Sequence, residues 1–273
     1  MKETRYDIHL PIKKKIALVA DIHNATNADL LPSLRRNHPD LILIPGDMVE
    51  GYQFKMEGSL LLSETNSIEI LRACPDIAPT FFSLGNHEAL IPEGDLRLLE
   101  SFHINVLDDA VIPFEGMWIA GVTSNRVISH RKYDEIYKGK EEYAYSHYLK
   151  IREQMYQLAG RSFDFLDALE EKDGYKIVLC HHPEYYFLKE PYLGHRKIDL
   201  VVSGHAHGGQ MRFYDPFHKR WQGILSPNQG LFPKYTYGVH SGEYGKMVIT
   251  TGLANTEKPI PRLFNETEVV YIT

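Results

Sequence analysis

The chain has 273 residues and a formal net charge of −6, from 30 Lys and Arg against 36 Asp and Glu. That balance provides no dedicated nucleic-acid surface and no footprint for an anionic membrane, although a phosphodiester can still be held locally in a cationic pocket. Hydrophobic residues make up 43% of the chain, enough for a substantial core in one large domain or two small ones. The only cysteines, Cys74 and Cys180, are far apart, which excludes a disulfide-stapled secreted scaffold. The segment from Met1 to Asp7 has acids and no apolar h-region, and no apolar run is long enough to span a bilayer. The expectation is a cytoplasmic protein with no transmembrane segment, unless a leader has been trimmed; peripheral membrane association stays open.

After a polar start, Ile16 to Ala20 is a continuous apolar run, as in a strand buried on both faces, and it ends at Asp21-Ile22-His23-Asn24. A short helix is expected from about Ala28 to Arg36, then a second buried strand, Leu41 to Ile44, ending at Pro45-Gly46-Asp47. Ser59 to Ala73 reads as a helix. Thr80 to Leu84 reads as a third strand, ending at Gly85-Asn86-His87-Glu88. Strand and helix alternate, the signature of an α/β fold with parallel strands, and such sheets bind ligands at the carboxyl ends of their strands.

Gly94 to Phe102 is helical in pattern and precedes a region of antiparallel character at 104–106, 111–114 and 117–122. Residues 130–172 form a Tyr-rich insertion, helical from Glu141 onward. The α/β pattern resumes at Lys176 to Cys180, followed by His181-His182-Pro183-Glu184. Ile198 to Val202 then leads into Ser203-Gly204-His205-Ala206-His207-Gly208-Gly209-Gln210. Residues 210–214, 246–250 and 269–272 read as closing strands around a long loop over 215–245. No internal repeat or linker divides the chain, so residues 1–273 are expected to form a single domain.

Five strand ends carry candidate metal ligands: Asp21 with His23, Asp47, Asn86 with His87, His181, and His205 with His207. All are oxygen or nitrogen donors with no thiolate, a set suited to Mn, Fe or Zn rather than to a Cys-rich structural zinc. The set is too large for one ion and about right for two that share a carboxylate, the clamp used by phosphatases and nucleases. Two divalent ions bring about +4, the two aspartates and a hydroxide remove about three, and the surplus of about +1 suits an anionic phosphoryl group. Gly208 and Gly209 are expected to keep the approach to the ions open.

Asp21-x-His23, Gly46-Asp47, Gly85-Asn86-His87-Glu88, His181 and Gly204-His205-Ala206-His207 resemble the ordered motifs of the calcineurin-like metallophosphoesterase superfamily. The ending Gly-His-x-His-Gly-Gly-Gln and the stretch from Ser226 to Tyr235 are similar to a bacterial subgroup of it. The resemblance implies a four-layer sandwich of two mixed β-sheets flanked by helices. It implies that Asp21, His23 and His207 hold one ion, that Asn86, His181 and His205 hold the other, and that Asp47 bridges both. His87 would contact the phosphoryl group or protonate the leaving oxygen. The implied activity is a dinuclear metal-dependent phosphoester hydrolase of the phosphodiesterase or pyrophosphatase type, using a metal-bridging hydroxide. The implied partner is a phosphoester substrate, small or lipid-linked.

Plainer roles compete at several positions. An Asp after a strand is commonly a turn residue or helix cap. The motif selects His181 as ligand over His182, which then supports or packs. Cys180 is expected to face the core on the opposite side of its strand. The Tyr-rich insertion either packs or caps the substrate, and the 215–245 loop either walls the substrate or is structural. Two rival functions remain: a membrane-face pyrophosphatase of a nucleotide-linked lipid precursor, with an apolar groove beside the metals, and a non-catalytic scaffold, which should have lost ligands.

Overall fold

The computed structural model describes residues 1–50, 59–124, 163–254 and 261–273. Two six-stranded sheets dominate it. The first has the order β1 (Lys2–Tyr6), β16 (Glu268–Ile272), β2 (Ile16–Leu18), β3 (Leu41–Ile44), β4 (Thr80–Ser83), β5 (Ile104–Leu107). Strands β2 to β5 run parallel, while β16 is antiparallel to β2 and parallel to β1. The second has the order β14 (Gly238–Ser241), β15 (Lys246–Ile249), β9 (Leu200–Ser203), β8 (Tyr175–Cys180), β7 (Met117–Val122), β6 (Ala110–Phe114). Its four inner strands are parallel and its outer two antiparallel.

The strands are apolar on both faces because each face has its own core. Ile16, Leu18, Leu41, Leu43 and Phe81 of the first sheet pack against Ile119, Ile177, Leu179, Leu200 and Val202 of the second. The alternate residues Ala17, Ile42 and Ile44 turn outward to α1 (Leu30–Asn37), α3 (Thr65–Ala73) and α4 (Glu93–Ser101), meeting Leu34, Ile68, Leu71 and Leu99. On the far side, Val178, Cys180, Val201 and Ile249 meet Leu166 and Leu169 of α5 (Asp164–Glu170). Helices, sheet, sheet and helix give the expected four-layer α/β sandwich of two mixed sheets. Cys180 faces this outer core as expected. Each fully buried Leu or Ile contributes about 1.5–3 kcal/mol, so the central layer fixes the two sheets face to face.

Several elements differ from their sequence expectation. The polar start is a strand: β1 docks on β16 at the sheet edge, where its side chains are half-buried or exposed and no apolar run is needed. The helix expected over 59–73 is two, α2 (Leu60–Ser63) and α3, because Glu64 leaves helical geometry and turns its carboxylate to the Glu50 N–H at 2.9 and 3.0 Å. Residues 104–107 extend the first sheet in parallel rather than opening an antiparallel region.

The strand expected over 210–214 closes neither sheet. It is β10 (Arg212–Asp215), which among the described residues forms a hairpin with β11 (Arg220–Gly223). The long-loop segment therefore holds short strands, including β12 (Leu225–Ser226) and β13 (Gly230–Leu231). Most of the Tyr-rich insertion, with Tyr133, Tyr137, Tyr143, Tyr145, Tyr148 and Tyr156, lies outside the described residues.

Candidate metal centre

Strands β2, β3 and β4 of one sheet and β8 and β9 of the other end at the same edge, and the face-to-face packing brings their following turns together. The seven residues singled out as ligands are all buried, Asp21 and His181 completely. Ligating atoms of Asp21, His23 and His207 come within 4.8 Å of one another, and so do those of Asp47, His181 and His205. A third such group joins His23, Asp47 and His87. Asn86 is buried directly before His87, at the head of a 3-10 turn over His87–Leu90.

Asp47 stands between the groups. Its Oδ2 is 2.9 Å from His181 Nε2, 3.8 Å from His23 Nε2 and 3.9 Å from His87 Nε2, while Oδ1 accepts the His87 backbone N–H at 2.9 Å. His181 Nδ1 is 3.1 Å from the Pro45 carbonyl, which only accepts; the proton therefore sits on Nδ1 and Nε2 faces the site. The same reasoning fixes His87, whose Nδ1 is 2.6 Å from the Glu50 carbonyl. Asp21 accepts the His205 backbone N–H through both oxygens, at 3.0 and 3.1 Å.

Positive φ values mark five of these residues: Asp21 (54°), His23 (46°), Asp47 (53°), His205 (67°) and His207 (43°). Left-handed backbone at non-glycine residues costs about 1–3 kcal/mol each and persists only where its surroundings enforce it. Part of that enforcement is close backbone packing. A Cβ on Gly46 would lie 2.3 Å from the Gly85 nitrogen, and one on Gly85 would lie 2.2 Å from Asp47 Oδ1. Gly208 and Gly209 follow the same logic and do not hold an approach open. A Cβ on Gly208 would strike Asn265 Oδ1 at 2.2 Å, and one on Gly209 the Gly223 backbone at 2.4 Å.

Glu88 ties the turns together. Its buried carboxylate accepts the N–H groups of Asp47, Met48 and Gly85 at 2.8 Å and that of Val49 at 3.3 Å. Burial, then the charge of Asp47, pushes its pKa up to about 7, against the N–H donors that favour the carboxylate. Burial likewise raises Asp21 to about 6. Burial also works against charge on Asp47 and His181, but their attraction for each other prevails. Asp47 is held well below the usual carboxylate range and His181 is pushed up to about 9. Burial, reinforced by neighbouring positive charge, lowers His23, His205 and His207.

The residue chemistry fits bound cations. Both ring nitrogens of His23 are buried with no hydrogen-bond partner among the described residues. Imidazoles that resist protonation and clustered carboxylates are the forms a metal requires. Sequence reasoning gave no role to Glu88, although it sits inside a quoted motif. It also passed over Arg262, whose Nη2 is 3.2 Å from His207 Nδ1, and Asn265, which donates to the His207 carbonyl at 2.6 Å. Neither has a spacing signal, because both arrive from the far end of the chain.

This architecture, with its buried oxygen and nitrogen donors at one sheet edge, is of the metallophosphoesterase kind. The sequence model of the calcineurin-like phosphoesterase family matches residues 14–209, and the chain belongs to that family. It is 25% identical over 216 residues to an uncharacterized protein of Bacillus subtilis (strain 168), YpbG, covering 77% of this chain and 68% of that one. It is 26% identical over 207 residues to an uncharacterized metallophosphoesterase of Helicobacter pylori (strain J99), covering 72% of this chain and 45% of that one. The chain thus spans less than half of that relative. A solved Thermus thermophilus sulfate thiohydrolase, SoxB, aligns with a TM-score of 0.43 at 13% identity, covering 89% of this chain and 52% of that one.

Proposed function

We propose that the chain is a phosphoester hydrolase working with two metal ions, and that it acts on a phosphodiester or pyrophosphate. Asp21, His23 and His207 would hold the first ion, Asn86, His181 and His205 the second, and Asp47 both. The observation that carries this reading is the position of Asp47 Oδ2 between His181 on one side and His23 on the other. Mn, Fe and Zn all suit the donors. When bound, the ions polarise a phosphoryl oxygen and make water acidic enough to attack near neutral pH.

The chain's own residues supply orientation. Pro45 and Glu50 carbonyls fix the His181 and His87 rings, and Glu88 holds the Asp47 turn. His87 Nε2, on the ring edge away from Glu50, is the atom that would touch the phosphoryl group. It could donate to the leaving oxygen only from the doubly protonated ring, with Nδ1–H kept on the Glu50 carbonyl. A scaffold reading is weakened by the complete donor set. The diester or pyrophosphate preference is supported by the resemblance of the Gly-His-x-His-Gly-Gly-Gln ending alone.

A lipid-linked substrate would call for an apolar groove beside the metals. The cavity of about 420 Å³ beside the metal turn is walled by Trp221 and Phe264 but also by Lys2, Arg212, Thr251, Glu266 and Glu268, with Arg212 donating to the Gly208 carbonyl at 2.8 Å, so it is not such a groove. No helix among the described residues is long and apolar enough to cross a membrane.

The test is metal content after purification without chelator, followed by aryl phosphodiester and pyrophosphate turnover with Mn, Fe and Zn. Two ions per chain and turnover abolished by Asp47→Asn are expected. Metal-loaded protein inert toward every substrate, while Asp47→Asn leaves partner binding intact, would sink the enzyme reading. Turnover of water-soluble diesters at full rate without detergent or vesicles would remove the lipid version.

A further inference from the structure

Beyond the family-matched residues, the chain returns to the metal edge through the turn at 226–229. Asn228, held at a φ of 62°, places its side-chain nitrogen Nδ2 3.0 Å from His205 Nε2 and 3.2 Å from His182 Nδ1. Its neighbour Gln229 donates to Glu184 Oε1 at 2.9 Å and to the Tyr235 carbonyl at 2.7 Å. The Gln229 oxygen accepts the Lys234 and Tyr235 N–H groups. Glu184 is buried, and its Oε2 is 3.5 Å from His182 Nδ1.

Two arrangements satisfy the contacts along this row: Nδ2 donating one proton to each of two bare ring nitrogens, or, with the amide turned over, its oxygen accepting from two ring N–H groups. The charge of Glu184 selects the second. A carboxylate offers only lone pairs, so Glu184 favours the proton of His182 on Nδ1. His182 Nε2 is buried with no hydrogen-bond partner among the described residues. A bare nitrogen is tolerated there better than an orphaned N–H. An amide end that meets Nδ1–H must be the oxygen, and a half-turn about Cβ–Cγ exchanges oxygen and nitrogen at fixed positions. The same oxygen faces His205, so His205 must carry its proton on Nε2, with Nδ1 left bare.

We propose that Asn228 is a positioning residue for the second metal subsite. It relays the tautomer set by Glu184 on His182 to His205, and thereby dedicates His205 Nδ1 to the ion. The proposal rests on the assignment of His205 to that ion.

The test uses the full chain and zinc. In the metal-free protein, histidine-ring ¹⁵N spectra should place the His205 proton on Nε2, with a mixture of tautomers in Asn228→Ala. Calorimetric titration should show the second zinc weakened about 10–100-fold in Asn228→Ala, the usual effect of losing an outer partner, with the first retained. Asn228→Asp, which keeps an oxygen and lacks the amide donor, should restore it.

A His205 proton on Nδ1 overturns the proposal, and that wild-type result decides it even if Asn228→Ala does not fold. Wild-type binding of both zinc ions by Asn228→Ala overturns it too, as does an Asn228→Asp as weak as the alanine variant. A wild-type chain that takes up no zinc overturns the metal assignment itself, whichever tautomer is seen.

Discussion

Asp21 and His205, 184 positions apart and on different sheets, are joined by a forked hydrogen bond in which both carboxylate oxygens accept one backbone N–H. The carboxylate of one proposed subsite thus fixes the backbone of a ligand of the other. Asp21→Asn should therefore do more than weaken the first ion. First-ion affinity should fall by at least about 100-fold, since even an outer partner's removal costs about 10–100-fold, and second-ion affinity should fall as well. Asp47→Asn should weaken both ions alike. Zinc titration of the two variants checks this, and an Asp21→Asn with an undisturbed second ion would refute the coupling.

The charge state of His181 gives a pH prediction for the chelated protein. Between about 6.5, the ordinary histidine value, and about 9, the folded chain holds a proton that the unfolded chain has released. The contribution of His181 to stability is complete below that window and is lost as pH rises through it. The raised Asp21 carboxyl acts with the same sign at lower pH, up to about 6. Urea midpoints of chelated protein should fall across the His181 window, while zinc affinity should rise, because the ion displaces the proton. A chelated midpoint that climbs from pH 6.5 to 9 would contradict the assignment.

Glu88→Gln is nearly isosteric but puts an NH₂ where two backbone N–H groups now find an oxygen. Buried donors left facing a donor cost about 1–3 kcal/mol, so chemical denaturation should show a loss of that size. Phosphodiester turnover should drop with it, because the Asp47 turn loses its anchor. Unchanged stability would mean that the four N–H contacts are not holding the turns.

Gly85→Ala places a methyl group 2.2 Å from Asp47 Oδ1 and 2.5 Å from the Asp47 nitrogen. Overpacking of this kind typically costs about 1–3 kcal/mol. Metal content should fall along with the melting temperature, because the displaced carboxylate belongs to a proposed ligand. A variant that melts lower but binds two ions normally would confine Gly85 to a folding role.

Ion removal should also lower the melting temperature in a concentration-dependent way. At 100 times the dissociation constant, a bound ion adds about 2.7 kcal/mol. A thermal transition unmoved by zinc across that range would count against a preformed site.

Much of this was legible in the residues. The runs Ile16–Ala20, Leu41–Ile44 and Lys176–Cys180 announced strands buried on both faces, and each ended in donors that the fold then gathers at one edge. The readable signals were local ones. β1 was missed because an edge strand needs backbone pairing rather than an apolar face. The break at Glu64 depends on a carboxylate meeting the N–H of Glu50, fourteen residues away. Arg262 and Asn265 reach the site only after the tail folds back, so no spacing encodes them, and Asn228 lay inside the quoted stretch from Ser226 to Tyr235 without a role attached. The left-handed backbone at Asp21, His23 and Asp47 is likewise set by packing, since none of these residue types demands it.

Strand β16 lies hydrogen-bonded between β1 and β2, although more than 250 positions separate it from either. During synthesis β2 can pair with β3 early, yet its other edge must wait until residues 268–272 have left the ribosome. Until then β2 presents open amides and carbonyls to any extended segment nearby. The proposed metal ligands Asp21 and His23 hang from that half-zipped strand. The order of events on the ribosome therefore predicts that nascent chains lacking β16 aggregate through this edge, and that the site closes only after β16 has docked.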